Sequence, residues 1–306
     1  MDNMQKIPVF FTFDANYLLA AKVAIHSMMK HASRQYWYEL YVFHTTLSPK
    51  AQQSLRNSLK EFTHTELHFI DVTQYNEKIK NFGTKAHYSK EIFYKLIATD
   101  VLPQYDRIIC SDVDVVFTGD FSPVFFMFPN EKFYYAGVGP VENSRMPYYR
   151  KDFSTTEMEI LEHEIAAGFL LINLKELRND HKQEEIINFY VNNYPRLRLP
   201  EQDCIILTCW PYIKYLPIDY SLPISFYRLN MNQRDFYQGN TEFAGDKATA
   251  LAKFNKGLAH PVQIHYAGFD KPWNCFRLTL DKGHEIHPGR NGIIPQIVTA
   301  EFIDAN

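Results

Sequence analysis

The chain has 306 residues, of which 46% are hydrophobic and 22% charged, a balance that excludes disorder and supplies enough apolar material for a core. Its 32 lysines and arginines stand against 35 aspartates and glutamates, so the basic stripe needed for a phosphate backbone is missing and nucleic acid is excluded as a partner. Cys110, Cys204, Cys209 and Cys275 form no C-x-x-C pair, Met1 to Lys6 carries no signal-peptide pattern, and no segment reaches the ~20 apolar residues of a membrane span. Reduced thiols in a cytoplasmic protein are expected, compatible with peripheral docking on the inner face of a membrane. The aromatic share, 15%, suits both core packing and stacking on sugar-like ligands.

In chain order, strand and helix periodicities alternate, as in a mostly parallel sheet flanked by helices. Val9–Phe13 reads as a buried strand, Tyr17–Ala32 as a helix and Tyr38–Phe43 as a second strand. Ser48 and Pro49 announce a helix continued by Ala51–Leu59, because Ser caps free N–H groups and Pro fits a first turn. Leu67–Val72 is the third strand, Ile92–Val101 a helix stopped by Pro103, and Arg107–Ser111 a short strand running into Asp112. Tyr134–Val138, Gly168–Asn173 and Ile213–Leu216 read as further strands, with Gln183–Asn193 and Asp203–Cys209 as helices. Thr241–Gly257 reads as a loop or linker helix, and the stretch after Trp273 follows no pattern. There is no internal repeat and no low-complexity tract.

Asp112 falls at the carboxyl end of a strand, where open α/β sheets bind ligands. In an extended segment Asp112 and Asp114 point to one side and share a hard cation such as Mg2+ or Mn2+. A D-x-D triplet is weak alone, but Ile264–Trp273 adds an imidazole, a glycine and a lysine in one short segment. His265 supplies a third ligand that shifts preference towards Mn2+, Gly268 lets backbone approach a phosphate, and Lys271 adds positive charge there.

These residues resemble family 8 glycosyltransferases, the retaining bacterial galactosyl- and glucosyltransferases related to glycogenin. The resemblance covers nearly the whole chain. Phe11-Thr12-Phe13-Asp14-Ala15-Asn16-Tyr17 is similar to the family's first strand-loop, Ala166-Ala167-Gly168 through Leu174 to its N-A-G strand, and Glu201-Gln202-Asp203 to its D-Q-D. The resemblance implies a Rossmann-like GT-A fold over residues 1–306: a nucleotide-binding half, 1–117; a donor-sugar and acceptor half, 118–273; and a C-terminal extension, 274–306. It implies a metal held by Asp112, Asp114 and His265; nucleotide contacts from Thr12, Asp14, Asn16, Lys95, Val113, Ala167, Gly268 and Lys271; and a reacting face at Glu201, Gln202 and Asp203. Three departures concern the sugar: Ala166 replaces an Asn that contacts the donor sugar, Glu201 replaces the first Asp of D-Q-D, and Ala136-Gly137-Val138-Gly139-Pro140 lacks the aspartate that some galactosyltransferases show at about this point.

The activity implied is hexosyl transfer from UDP-galactose or UDP-glucose to a glycan, lipooligosaccharide or glycoprotein acceptor, with Mn2+, or Mg2+ less well, as cofactor. Two alternatives share these residues. One is a weakly active sugar-nucleotide-binding protein of the same fold, suggested by Ala166 and Glu201. The other is a haloacid-dehalogenase-type phosphatase, because Asp112-Val113-Asp114-Val115-Val116 also fits D-x-D-x-[TV].

Overall fold

The computed structural model describes residues 4–80, 82, 89–142, 151–239, 241–268 and 271–272. The expected extension over 274–306, Cys275 and Trp273 lie outside them.

Seven strands form the central sheet: β1 (Lys6–Thr12), β2 (Trp37–His44), β3 (Thr65–Asp71), β4 (Ile108–Ser111), β6 (Tyr135–Val138), β7 (Phe169–Ile172) and β8 (Ile213–Leu216), ordered β3-β2-β1-β4-β7-β6-β8. Only β7 runs antiparallel to its neighbours β4 and β6. β5 (Val115–Phe117), β9 (Leu222–Pro223) and β10 (Gln263–His265) make a second sheet, ordered β5-β10-β9. The two-residue period of a strand sorts side chains to opposite faces. Ile7, Val9 and Phe11 join one core with the helix Leu18–His31, while Phe10 joins another with the helices Lys182–Asn193 and Pro200–Cys209. The sheet is thus covered on both faces, which is why its strands read as continuous apolar runs.

Most expected elements form within a few residues of their predicted limits. The helix after Ser48 starts at Pro49, with the Ser48 hydroxyl accepting the Ala51 N–H at 3.3 Å. Three expectations are corrected. Ile92–Val101 is not one α-helix but a 3-10 helix, Lys90–Ile97, followed by a single α turn, Ala98–Val101. That winding aligns residues three apart and turns Ile92 and Lys95 to the same side. Thr241–Gly257 is no linker: Lys247–Ala259 is a helix capped by Asp246, and Phe254 packs with Phe226, Phe236 and Phe243. The helix expected from Asp203 begins at Pro200, because the Asp203 carboxylate accepts the entering N–H groups of Arg198 and Leu199 at 2.6 and 3.0 Å. Cys110, Cys204 and Cys209 are buried thiols whose ionisation burial pushes up.

Candidate active site

β1 and β4 end side by side, and their carboxyl ends open into a cavity of about 220 Å3. β1 delivers Thr12 and Phe13 to its wall, then Asp14 and Tyr17 through a short turn that Asp14 caps by accepting the Asn16 N–H at 2.8 Å. After β4 the chain bends through Asp112, Val113 and Asp114 and leaves the main sheet as β5. The two aspartates therefore lie in a bend rather than the expected extended segment.

The second sheet completes the cluster. β10 pairs antiparallel with β5, with His265 opposite Val115, and the Tyr266 N–H donates to the Asp114 carbonyl at 2.9 Å. On its other side β10 runs parallel to β9, which sets Pro223 beside His265 on the cavity wall. His265 Nε2 stands 3.2 Å from Asp114 Oδ1 and 3.6 Å from Asp112 Oδ2. One ligand atom from each of Asp112, Asp114 and His265 lies within 4.8 Å of the others, a set of two hard oxygens and an imidazole that fits a divalent ion. β7 places Gly168 against this set: its carbonyl accepts the Asp112 N–H at 2.9 Å, and a Cβ there would stand 2.5 Å from the His265 ring. Only glycine fits.

Charge balances across the site. Lys271 donates to Asp114 Oδ2 at 2.5 Å and to the Tyr266 carbonyl at 2.7 Å. Burial alone would raise the Asp114 carboxyl, but His265 and Lys271 outweigh it and hold it well below the usual carboxylate range. Burial likewise disfavours a charged His265, and the aspartates, Asp114 foremost, reverse that and raise it. Burial raises the Tyr17 phenol, with Asp114, Asp14 and Asp112 adding to it.

The family model for glycosyl transferase family 8 matches residues 8–276. The chain belongs to that family. The structure of WbbM, a bifunctional glycosyltransferase, is similar with TM-score 0.67 and 22% identity, over 88% of this chain and 47% of that one. The chain thus spans about half of WbbM's length. An active-site mutant of LgtC aligns with TM-score 0.69 and 15% identity over 97% of this chain and 96% of that one. GlyE of Streptococcus pneumoniae TIGR4 aligns with TM-score 0.61 and 16% identity over 98% of this chain and 61% of that one. No curated protein is a match to the sequence. These likenesses give the fold as GT-A, and family membership makes the chain a glycosyltransferase, which removes the phosphatase alternative.

Within this family 8 site, Thr12, Asp14, Asp112, Val113, Asp114, Ala167, Glu201, Gln202, His265, Gly268 and Lys271 all line the cavity, and Asn16, Lys95 and Asp203 do not. Asn16 is exposed and donates to Asp14. Asp203 is fully buried in its capping role. Lys95 lies behind the wall, 1% exposed, with its ammonium 2.6 Å from Asp112 Oδ1, 3.0 Å from the Ala167 carbonyl and 3.4 Å from Glu201 Oε1. Burial works against that charge, but Asp112 and Glu201 prevail and raise its ionisation above the ordinary lysine value. Glu201 is raised by burial, against the pull of Lys95, and its Oε2 is buried without a hydrogen-bond partner among the described residues. Sequence reasoning did not single out Tyr17, Ser89, Leu199 or Ala267 as site residues, although all four line the cavity. Tyr17 closes the Phe11–Tyr17 motif and Ala267 lies between His265 and Gly268 in the Ile264–Trp273 segment, whereas Ser89 and Leu199 carry no signal.

Proposed function

We propose that this glycosyltransferase is a retaining hexosyltransferase, moving galactose or glucose from a UDP-sugar to a hydroxyl of a glycan, lipooligosaccharide or glycoprotein acceptor. The observation that carries the reading is the convergence of Asp112, Asp114 and His265 beside Lys271 in one cavity that Thr12, Asp14, Tyr17 and Gln202 also line. A structure of LgtC in complex with donor and acceptor sugar analogues, similar at 15% identity and TM-score 0.65, shows that the same fold holds both partners in that protein.

In this reading Thr12, Asp14 and Tyr17 hold the nucleoside, with Val113 and Ala167 against it, and residues 1–117 do most of the nucleotide binding. Asp112, Asp114 and His265 would hold Mn2+, or Mg2+ less well, which when bound supplies Lewis-acid stabilisation of the diphosphate as it leaves. Lys271 adds a fixed positive charge where negative charge develops, and Gly268, at φ +98°, gives the turn that brings backbone close to the phosphates. Glu201 supplies a buried carboxylate oxygen for a donor hydroxyl, compensating in part for Ala166. Gln202 is an amide and a poor nucleophile, so the acceptor hydroxyl attacks on the face the diphosphate leaves, and the departing oxygen takes its proton. The α configuration is then kept.

Hydrolysis of a panel of UDP-sugars, with Mn2+ and then with excess chelator, tests the donor and the metal, and NMR of the anomeric proton of the product formed on an acceptor glycan tests the stereochemistry. Donor-specific turnover that chelator abolishes, giving an α-linked product, is expected. Full activity in chelator sinks the metal assignment, and a β-linked product sinks the retaining mechanism.

A further inference from the structure

A second cavity, of about 200 Å3, adjoins the first, and the two share Ala166, Gln202, Pro223 and Ala267 in their walls. Ala166 contributes only a methyl to that boundary, so the Gln202 amide is its polar group of length. Its Oε1 accepts the Ala167 N–H at 3.3 Å, and its Nε2 donates to Glu164 Oε2 at 2.8 Å. A backbone N–H only donates and a carboxylate oxygen only accepts, so the two partners together fix which way the amide faces. Glu164 is itself held firmly: it follows the helix Thr155–Leu161, its N–H donates to the Leu161 carbonyl at 3.3 Å, and Ala166 is tied to the Val138 carbonyl at 2.8 Å. Glu164 also lines the second cavity.

We propose that Glu164 is the positioning residue for Gln202, clamping the amide across the boundary of the two cavities with its carbonyl turned to backbone and its amino group to the carboxylate. Gln202 then offers the boundary an N–H and not a carbonyl oxygen. An approaching sugar oxygen is met by a donor, and the side chain missing at Ala166 is compensated from the neighbouring cavity. This role rests on the reading of the site as a glycosyl-transfer centre.

A double-mutant cycle on the full chain tests it. Glu164→Ala is expected to lower kcat about 10- to 100-fold with donor KM within about threefold, the scale of one lost hydrogen bond to a charged group. Glu164→Gln, whose carbonyl can accept the same hydrogen, is expected to keep kcat within about fivefold of the parent. Glu164→Ala combined with Gln202→Ala is expected to be no slower than Gln202→Ala alone, whereas losses that multiply overturn the proposal. NMR gives a readout that needs no turnover. The Gln202 side-chain amide signals, identified by their absence in Gln202→Ala, should move upfield in Glu164→Ala and far less in Glu164→Gln. Unmoved signals in both variants overturn the clamp. Movement without any UDP-sugar turnover in the parent protein leaves the clamp standing and sinks the hexosyltransfer reading.

Discussion

Lys95 and Lys271 each hold one aspartate of the pair, at 2.6 Å from Asp112 and 2.5 Å from Asp114, but the two sides of the cleft are built differently. Lys95 comes from a 3-10 helix packed on the sheet and is enclosed by Asp112, Glu201 and the Ala167 carbonyl, behind the cavity wall. Lys271 follows β10 in the chain and stands on the wall itself. The same ion pair therefore does two jobs. An enclosed ammonium fixes the direction of a carboxylate and belongs to the scaffold, whereas one on the wall adds its charge to whatever enters.

That contrast breaks most visibly at Lys95. Lys95→Met leaves Asp112 and Glu201 facing each other without the ammonium between them, so unfolding free energy in urea should fall by about 3–5 kcal/mol. A loss under ~1 kcal/mol would remove Lys95 from the scaffold. Lys271→Ala should do the reverse: turnover drops about 100-fold, the scale of one electrostatic stabiliser, with a loss of stability smaller than that of Lys95→Met because His265 still faces the Asp114 carboxylate. Steady-state kinetics beside the same urea titration separates the two lysines. Gly168→Ala sharpens the comparison from between them, since its Cβ must displace the His265 ring. Divalent-ion affinity should fall about 10- to 100-fold, read by calorimetry, and stability by about 1–3 kcal/mol. Glu157 is the smallest case, a half-buried pair set against the enclosed one. Its hydrogen bond to Arg196 and its capping of Ser154 depress its carboxyl from 4.5 to about 2. Its contribution is therefore full above pH 4.5 and lost as pH falls towards 2. Glu157→Gln should flatten the acid side of the stability profile across that window, by about 1 kcal/mol at most because solvent screens the pair. An unchanged slope would show that the unfolded chain retains the contact.

What could be read from the residues was what is written locally. The apolar runs of β1, β2 and β4 and the Ser48 cap are local, and so is the D-x-D spacing. His265 and Lys271 were found because one short segment holds both. Lys95 enters only through the family resemblance, which says nothing about which side of the wall an ammonium reaches. Asp203 was placed by its triplet, although the backbone N–H groups it caps lie four and five residues earlier. β5, β9 and β10 are two or three residues long, too short for any periodicity to show. The Glu164 to Gln202 contact joins residues 38 apart, and neither carries a signal for the other.

β5 and β10 have a consequence for how the chain comes into being. During synthesis Asp112 and Asp114 emerge first, and His265 follows roughly 150 positions later, a wait of many seconds at ribosomal speed. A growing chain can bury β1, β2 and β4 well before that, since β2 and β4 both pair with β1. It cannot present a three-ligand site until β10 has docked on β5. Affinity for a divalent ion would therefore mark a chain translated through residue 265, which makes metal uptake a natural reporter for stalled or truncated products of this protein.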